Sequence, residues 1–412
     1  MSHYNAERDL DWQIMQQKHS SSIHNKGFYF FLSAQFLSAL ADNALLFAAI
    51  ALLANLNSPT WHQPLLLQFF VISYILLAPV VGAFADALPK GKVMFISNGI
   101  KFFGSLAMLF GMQPLYAYAI VGVGAAAYSP AKYGILTELL APKYLVAANG
   151  WVEGLTVAAI ILGAILGGFF AEYSTTIAII IITGLYLIAA IFNRYIPILP
   201  IDHKPSKKNP LFLFRDFFKA FLKLAKDPLG QLSLSITTLF WGAGATLRLV
   251  VIAWAAFALA FGLDKATQLT AMVALGVAIG SIIAARYIKM QDAIKILPIG
   301  IFMGVLVCAM IFITTWEGAA LILLLIGIFS GILIVPMNAL LQYQGHHLIG
   351  AGHSIAVQNF SENLGILLLS GAYTYMVKQN LPINGIVFIF GLFVVLTMVT
   401  AAIYYANEET DF

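Results

Sequence analysis

Charge is scarce in this chain and cysteine nearly absent. Only 10% of its 412 residues are Asp, Glu, Lys or Arg, against 61% hydrophobic, which excludes an ordinary water-exposed globular surface. A single cysteine, Cys308, excludes an intrachain disulfide and any multi-cysteine metal site. Segments of alternating polarity are missing, and with them an outer-membrane barrel. No Gly-x-x-x-x-Gly-Lys-Ser/Thr loop is present, which argues against an ATP-driven pump. No Gly-x-Ser-x-Gly elbow, His-Glu-x-x-His motif or His-x-x-x-x-Asp pair occurs, so nothing points to a membrane-embedded acyltransferase or lipase. The chain reads as no enzyme. The residues before the first apolar run include Glu7, Asp9 and Asp11 and carry no cleavable signal pattern.

What is present is apolar length. Runs of about 20 residues, enough for a helix to cross hydrocarbon, recur along the chain with Gly and Pro freely inside them. The pattern predicts an all-α membrane protein with twelve transmembrane helices in two six-helix halves. Residues 1–26 read as a cytoplasmic tail, 27–196 as the first half, 197–228 as a linker, 229–406 as the second half and 407–412 as an acidic tail. With the N-terminus inside, Lys90, Lys92, Lys143, Arg194, Arg286, Lys289 and Lys295 all face the cytoplasm, and only Lys265 and Lys378 face out. This topology accounts for the net charge of +4 without a nucleic-acid partner. Both termini then lie on the cytoplasmic side.

The linker carries Phe212, Phe214, Phe217, Phe218, Phe221 and Leu222 among Arg215, Lys219, Lys223 and Lys226. The four bases fall three or four residues apart, on one helix face. This reads either as a basic amphipathic helix on an anionic inner leaflet or as a plain connecting helix.

Polar residues inside the spans are the informative ones, because a charge at mid-bilayer costs roughly 2.5–3.5 kcal/mol on insertion scales. The first half holds Asp42, Asn43, Lys101, Lys132, Asn149 and Glu153; the second holds Arg248, Asn338, Gln342, Gln358, Asn359, Glu362 and Asn363. Asp42 and Arg248 lie at the same spacing as Pro130 and Pro336, and Glu153 and Glu362 at nearly that spacing, as two equivalent halves require. By fold-level analogy the first, fourth, seventh and tenth spans, helped by the fifth and eleventh, line a central cavity. Asp42, Lys132, Arg248, Asn338 and Glu362 fall on them. Asp42 is expected to face Lys132 or Arg248, either as a cargo or gating site or as a plain charge-balancing pair. Lys101, nearer the end of its span, reads as a snorkelling surface anchor. Lys132 and Arg248 suit an anionic headgroup, and Asp42 and Glu362 a cation, whether a cargo ammonium or a coupling Na⁺ or H⁺. These charged spans also argue against a non-transporting scaffold.

The loop after the second span runs Gly82-Ala83-Phe84-Ala85-Asp86 and then Lys90-Gly91-Lys92. It resembles the Gly-x-x-x-Asp and basic-Gly-basic gating loop of the major facilitator superfamily, with Pro89 where that motif has Gly. Gly82, Asp86, Lys90 and Lys92 are its marked residues. Gly163, Gly167 and Gly168, then Gly276 and Gly280, then Gly327 and Gly331, have the spacing of close helix packing. His346, His347 and His353 have no acidic sequence neighbour, and no metal site is expected.

Longer strings are more specific. Ala34-Gln35-Phe36-Leu37-Ser38-Ala39 with Asp42-Asn43-Ala44-Leu45-Leu46-Phe47, GVGAAAYSPAKYGIL from Gly122, LFWGAGATLR from Leu239, VPMNALLQ from Val335 and AVQNFSEN from Ala356 span both halves. Together they resemble the bacterial lysophospholipid transporters of the major facilitator superfamily. The resemblance implies a flippase that moves lysophosphatidylethanolamine and lysophosphatidylglycerol from the outer to the inner leaflet of the inner membrane. A cytoplasmic acyltransferase–acyl-carrier-protein synthetase then reacylates them. It carries the family's polar cavity residues onto Asp42, Lys132, Arg248 and Glu362, with Asn43 and Asn363 beside the acids. Phe36, Phe47, Tyr128, Tyr133, Phe240 and Trp241 then supply an apolar wall for the acyl chain. No cofactor is implied beyond a coupling Na⁺ or H⁺, which the sequence leaves open. The rival reading is an exporter of drugs or small metabolites on the same fold.

Overall fold

The computed structural model describes residues 25–58, 62–199, 210–261 and 263–405. The predicted N-terminal tail up to residue 24, the start of the linker at 200–209 and the acidic tail from 406 lie outside the described residues.

Among the described residues there are thirteen α-helices. The first half holds α1 (Lys26–Asn55), α2 (His62–Ala87), α3 (Lys90–Leu109), α4 (Pro114–Leu139), α5 (Leu145–Tyr173) and α6 (Thr175–Asn193). The linker helix is α7 (Pro210–Lys226). The second half holds α8 (Pro228–Ala258), α9 (Leu263–Tyr287), α10 (Leu297–Ala309), α11 (Trp316–Ile349), α12 (Ala351–Lys378) and α13 (Ile383–Tyr404). Eight helices among the described residues are apolar and long enough to cross a bilayer on composition alone. The others include α3, α4 and α12, which carry some of the interior's polar residues (Lys101, Lys132, Gln358 and Glu362 among them), and the short α10, which is followed by a 3₁₀ turn at Met310–Phe312.

Local chemistry sets several helix starts. Asn25 caps α1 by accepting from Phe28 N at 2.7 Å. Asp227 accepts from Gly230 N at 2.8 Å, with Pro228 at the first turn of α8. Thr315 caps α11 through Gly318 N at 3.2 Å. Gly350, at φ 92°, ends α11 and lets α12 begin at once, a backbone conformation that favours glycine. Pro130 and Pro336 both sit inside long helices, α4 and α11, matching the expected equivalence of the halves.

Small residues set the packing. Gly276 and Gly280 on α9 lie directly against the backbone of α11 at Leu324 and Ile328, and Gly327 and Gly331 return the contact. Gly163 and Gly167 bring α5 against α1 at Leu40 and Ala44. Gly168, expected on the same face, meets nothing within 4 Å, because one residue's rotation turns it off the seam.

Across the halves, α2 packs on α12 and α5 on α9, with α4 and α11 inside. Gly27 lies against Pro197, and Tyr405 Oη donates to Gln231 Oε1 at 2.8 Å. The starts of α1 and α8 and the ends of α6 and α13 therefore share one end of the bundle, here termed the linker end.

Candidate functional site

Four polar tiers climb from the linker end. The lowest is a clasp between halves. Asp86, at the end of α2, accepts from Gly352 N at 2.7 Å and His353 N at 3.0 Å, so it holds the N-terminus of α12. Those first-turn N–H groups have no helical partner and carry the positive end of the helix dipole. His353 Nδ1 meets the same carboxylate at 2.7 Å, and Lys90 Nζ at 2.7 Å. Lys90 also reaches Glu138 at 3.2 Å. Lys90 precedes the apolar part of α3. Burial alone would lower its pKa, but Asp86 and then Glu138 outweigh it and hold the ammonium above the usual lysine range. Gly82 and Gly352 leave the space for this approach: a methyl on Gly352 would stand 2.6 Å from Asp86 Oδ1. Three of the four predicted gating residues thus meet, on helix ends rather than a loop, while Lys92 is exposed outside the cluster. His353 and Glu138, absent from the predicted set, complete it. No sequence spacing links either to Asp86.

The second tier crosses the halves at roughly 6–16 Å from the linker end, counted at 1.5 Å per helical residue. Asn149 and Gln342 exchange two amide hydrogen bonds of 2.8 Å. Ser129 and Asn359 bond at 2.9 Å. Glu153 Oε1 accepts from Tyr133 Oη at 2.9 Å and Asn338 Nδ2 at 3.4 Å. Gln358 Nε2 donates to Asn338 Oδ1 at 2.9 Å and Glu362 Oε1 at 2.7 Å. Lys132 lies over the Tyr133 ring at 4.2 Å, with Glu153 its foremost opposite charge. The predicted Lys132, Asn338 and Glu362 are therefore gathered here. Glu153 and Gln358 join them, legible in sequence only as polar residues within spans.

The third tier overturns the expected pairing of Asp42. Its Oδ2 accepts from Lys101 Nζ at 2.7 Å, and its Oδ1 from Tyr186 Oη at 2.8 Å. Lys101 also donates to Ser38 at 3.0 Å, and Ser38 to Asn98 at 2.7 Å. Lys101 is 1% exposed, so it is no surface anchor. Its depth in the span allowed snorkelling, but its face of α3 turns toward α1, α4 and α6 rather than lipid. Tyr128, expected in an acyl wall, stacks its ring 4.8 Å from the Lys101 ammonium. Among the described residues no carboxylate lies within 4 Å of Lys132 or Arg248. Asn43 and Asn363 each donate to the carbonyl four residues back, Ala39 and Asn359, at 2.8 and 2.7 Å.

The fourth tier is a chamber. Arg248 stands roughly 30 Å along α8 from the linker end, exposed into a cavity of about 530 Å³ between α1, α5, α8 and α9. Its walls are Phe47, Ile160, Ile161, Ile165, Leu247, Val251 and neighbouring alanines, with Gln268 and Thr270 the other polar groups. Of the predicted acyl-wall aromatics Phe47 lines this chamber. Phe36 is half-buried on α1, and Phe240 and Trp241 form an edge-to-face pair at 5.4 Å on α8. Among the described residues no cluster of His, Cys, Asp and Glu has the makings of a metal site.

Known proteins resemble both the sequence and the fold. The profile of the Major Facilitator Superfamily matches residues 31–370. The lysophospholipid transporter LplT of Yersinia enterocolitica is 43% identical over 361 residues, covering 87% of this chain and 89% of that protein. The lysophospholipid transporter LplT of Serratia proteamaculans is 43% identical over 349 residues, covering 84% and 87%. Among solved structures, the E. coli fucose:proton symporter FucP superposes with a TM-score of 0.73 at 13% identity, covering 92% of this chain and 98% of that one. A bacterial homologue of the iron transporter ferroportin, in an outward-facing state, gives 0.72 at 17% identity, covering 93% and 100%. At such identities the structures speak for the fold alone.

Proposed function

The chain belongs to the lysophospholipid transporters of the major facilitator superfamily, and from that premise we propose how it handles its lipid. The cargo is a lysophospholipid, chiefly lysophosphatidylethanolamine or lysophosphatidylglycerol. It moves from the outer to the inner leaflet of the bacterial inner membrane, where an acyltransferase–acyl-carrier-protein synthetase reacylates it. Both termini and the linker end face the cytoplasm, in keeping with the basic loops.

The observation that carries this reading is Arg248, a guanidinium with no carboxylate partner among the described residues, in an otherwise largely apolar chamber between the halves. A phosphate matches the guanidinium fork, and a single acyl chain matches the walls of Phe47, Ile160 and Val251. Lys132 offers a second cation deeper in, above the clasped linker end. Glu362 and Glu153 lie at its level as acceptors for an ethanolamine ammonium. The headgroup then descends from Arg248 toward Lys132 as the clasp opens, by alternating access of the two halves. Asp42, held by Lys101 and Tyr186, acts on this path as a positioning residue rather than as the ammonium's ligand.

The test is flipping of labelled lysophosphatidylethanolamine in reconstituted vesicles, with Na⁺ and proton gradients imposed separately. Protein-dependent flipping whose apparent lysolipid affinity Arg248→Gln strongly weakens is the expected result. Vesicles holding folded protein that flip no lysolipid overturn it.

A further inference from the structure

The linker helix α7 has two dissimilar faces, and both are occupied by chemistry. On the inner face Phe217, Ala220 and Leu224 are buried in one cluster with Val81 of α2 and Ile355 and Ala356 of α12. The Phe217 ring stands edge-on to Phe360 at 5.5 Å. Asp216 reaches His353 Nε2 at 3.4 Å, and Lys223 Nζ donates to Leu348 O at 2.6 Å. His353 is the residue whose other ring nitrogen meets Asp86. The inner face therefore rests on the clasp itself and touches α2 and α12, which must part for the linker end to open.

The outer face is exposed. Phe214, Phe218 and Leu222, each one turn from the next, are 53%, 40% and 53% exposed. Arg215, Lys219 and Lys226 lie exposed beside them. The nearby acids are turned to the protein: Asp216 to His353, and Asp227 to the cap of α8. Among the described residues, folding thus draws the acids toward the protein, Asp216 remaining partly exposed, and leaves an apolar row flanked by bases. That combination, at the end of a bundle of apolar spans, fits the boundary between anionic headgroups and acyl chains.

We propose that α7 is a lipid-reading strap: its outer face seats on the anionic surface of the leaflet at the linker end, and its inner face thereby holds the clasp of Asp86, Lys90 and His353 shut. Removing the anionic surface loosens α7 and favours parting of α2 from α12. The lipid contact is independent of the cargo; its effect on the clasp rests on the alternating-access reading.

Two measurements on the full-length protein test the two parts. In a Cys308→Ser background, a nitroxide at Phe218→Cys is compared in phosphatidylcholine vesicles with and without phosphatidylglycerol. Its collisions with oxygen should rise severalfold over those with a water-soluble nickel complex only when phosphatidylglycerol is present. The triple variant Arg215→Gln, Lys219→Gln and Lys226→Gln should abolish that difference. Equal depth in both vesicles, or water exposure in both, overturns the lipid face. In the same background, nitroxides at Lys143→Cys and Lys289→Cys, exposed on opposite halves at the linker end, report the clasp. Longer distances in the triple variant are expected. An unchanged distribution overturns the coupling. Neither readout needs cargo, so failure of the lysolipid reading is seen separately.

Discussion

Asn149 of α5 and Gln342 of α11 donate to each other across the two halves, each at 2.8 Å, and both side chains are buried. A reciprocal amide pair satisfies two donors and two acceptors only when both helices hold one register. It therefore belongs to the state in which the linker end is closed. Buried hydrogen bonds between membrane helices contribute about 0.6–1.7 kcal/mol. Asn149→Ala or Gln342→Ala should shift the equilibrium toward an open linker end by roughly three- to eighteen-fold. Distance distributions between labels on the two halves check this.

Asp42 and Lys101 form an ion pair at 2.7 Å with the lysine wholly buried. Breaking such a pair from one side leaves an uncompensated charge and costs about 3–5 kcal/mol. Lys101→Met alone, or Asp42→Asn alone, should lower the thermal midpoint of the purified protein markedly. The double variant should recover most of the loss. A double variant as unstable as the worse single one would refute pairing as the role of Asp42.

Arg248 is exposed to its chamber, so its removal should spare folding and strike transport. Arg248→Gln should lower apparent lysolipid affinity roughly ten- to hundred-fold, the worth of a charge-assisted bond of about 1.5–3 kcal/mol. Arg248→Lys keeps the charge but loses the fork, and should fall between. Uptake titrations with protein abundance measured in parallel check the order.

Gly352 leaves room for Asp86 at the start of α12. A methyl there would meet Asp86 Oδ1 at 2.6 Å and Gly82 O at 2.7 Å, and the Gly82 oxygen belongs to backbone that has little freedom to move. Gly352→Ala should pry the clasp apart and, in a Cys308→Ser background, expose a cysteine introduced at the buried linker-end position Ala351 to a membrane-impermeant thiol reagent in inverted vesicles. Asp86→Asn, which keeps the shape but loses the charge toward Lys90 and the helix dipole, should do so more weakly. Unchanged labelling in both variants would refute the clasp.

Much of this protein was fixed by its residue order. Apolar length set the membrane class and the succession of spans, because hydrocarbon accepts only backbone whose hydrogen bonds close within the helix. The polar interruptions at Lys132, Arg248, Asn338 and Glu362 marked the interior, because polar groups are costly against lipid. The Gly82–Lys92 string marked the clasp, and the basic and aromatic run of 212–226 marked the linker helix.

Partnership was decided only by tertiary structure. Asp42 found Lys101 and Tyr186 rather than Lys132 or Arg248, because the rotation of α3 and α6 about their axes chose which faces meet α1. Depth along a span can be counted from a sequence; facing cannot, unless polarity is periodic, and in these buried helices nearly every face is apolar. For the same reason His353, Glu138 and Gln358 became parts of sites that no spacing announced. Sequence placed the charges at their levels in the bilayer, and packing assigned each its counterpart.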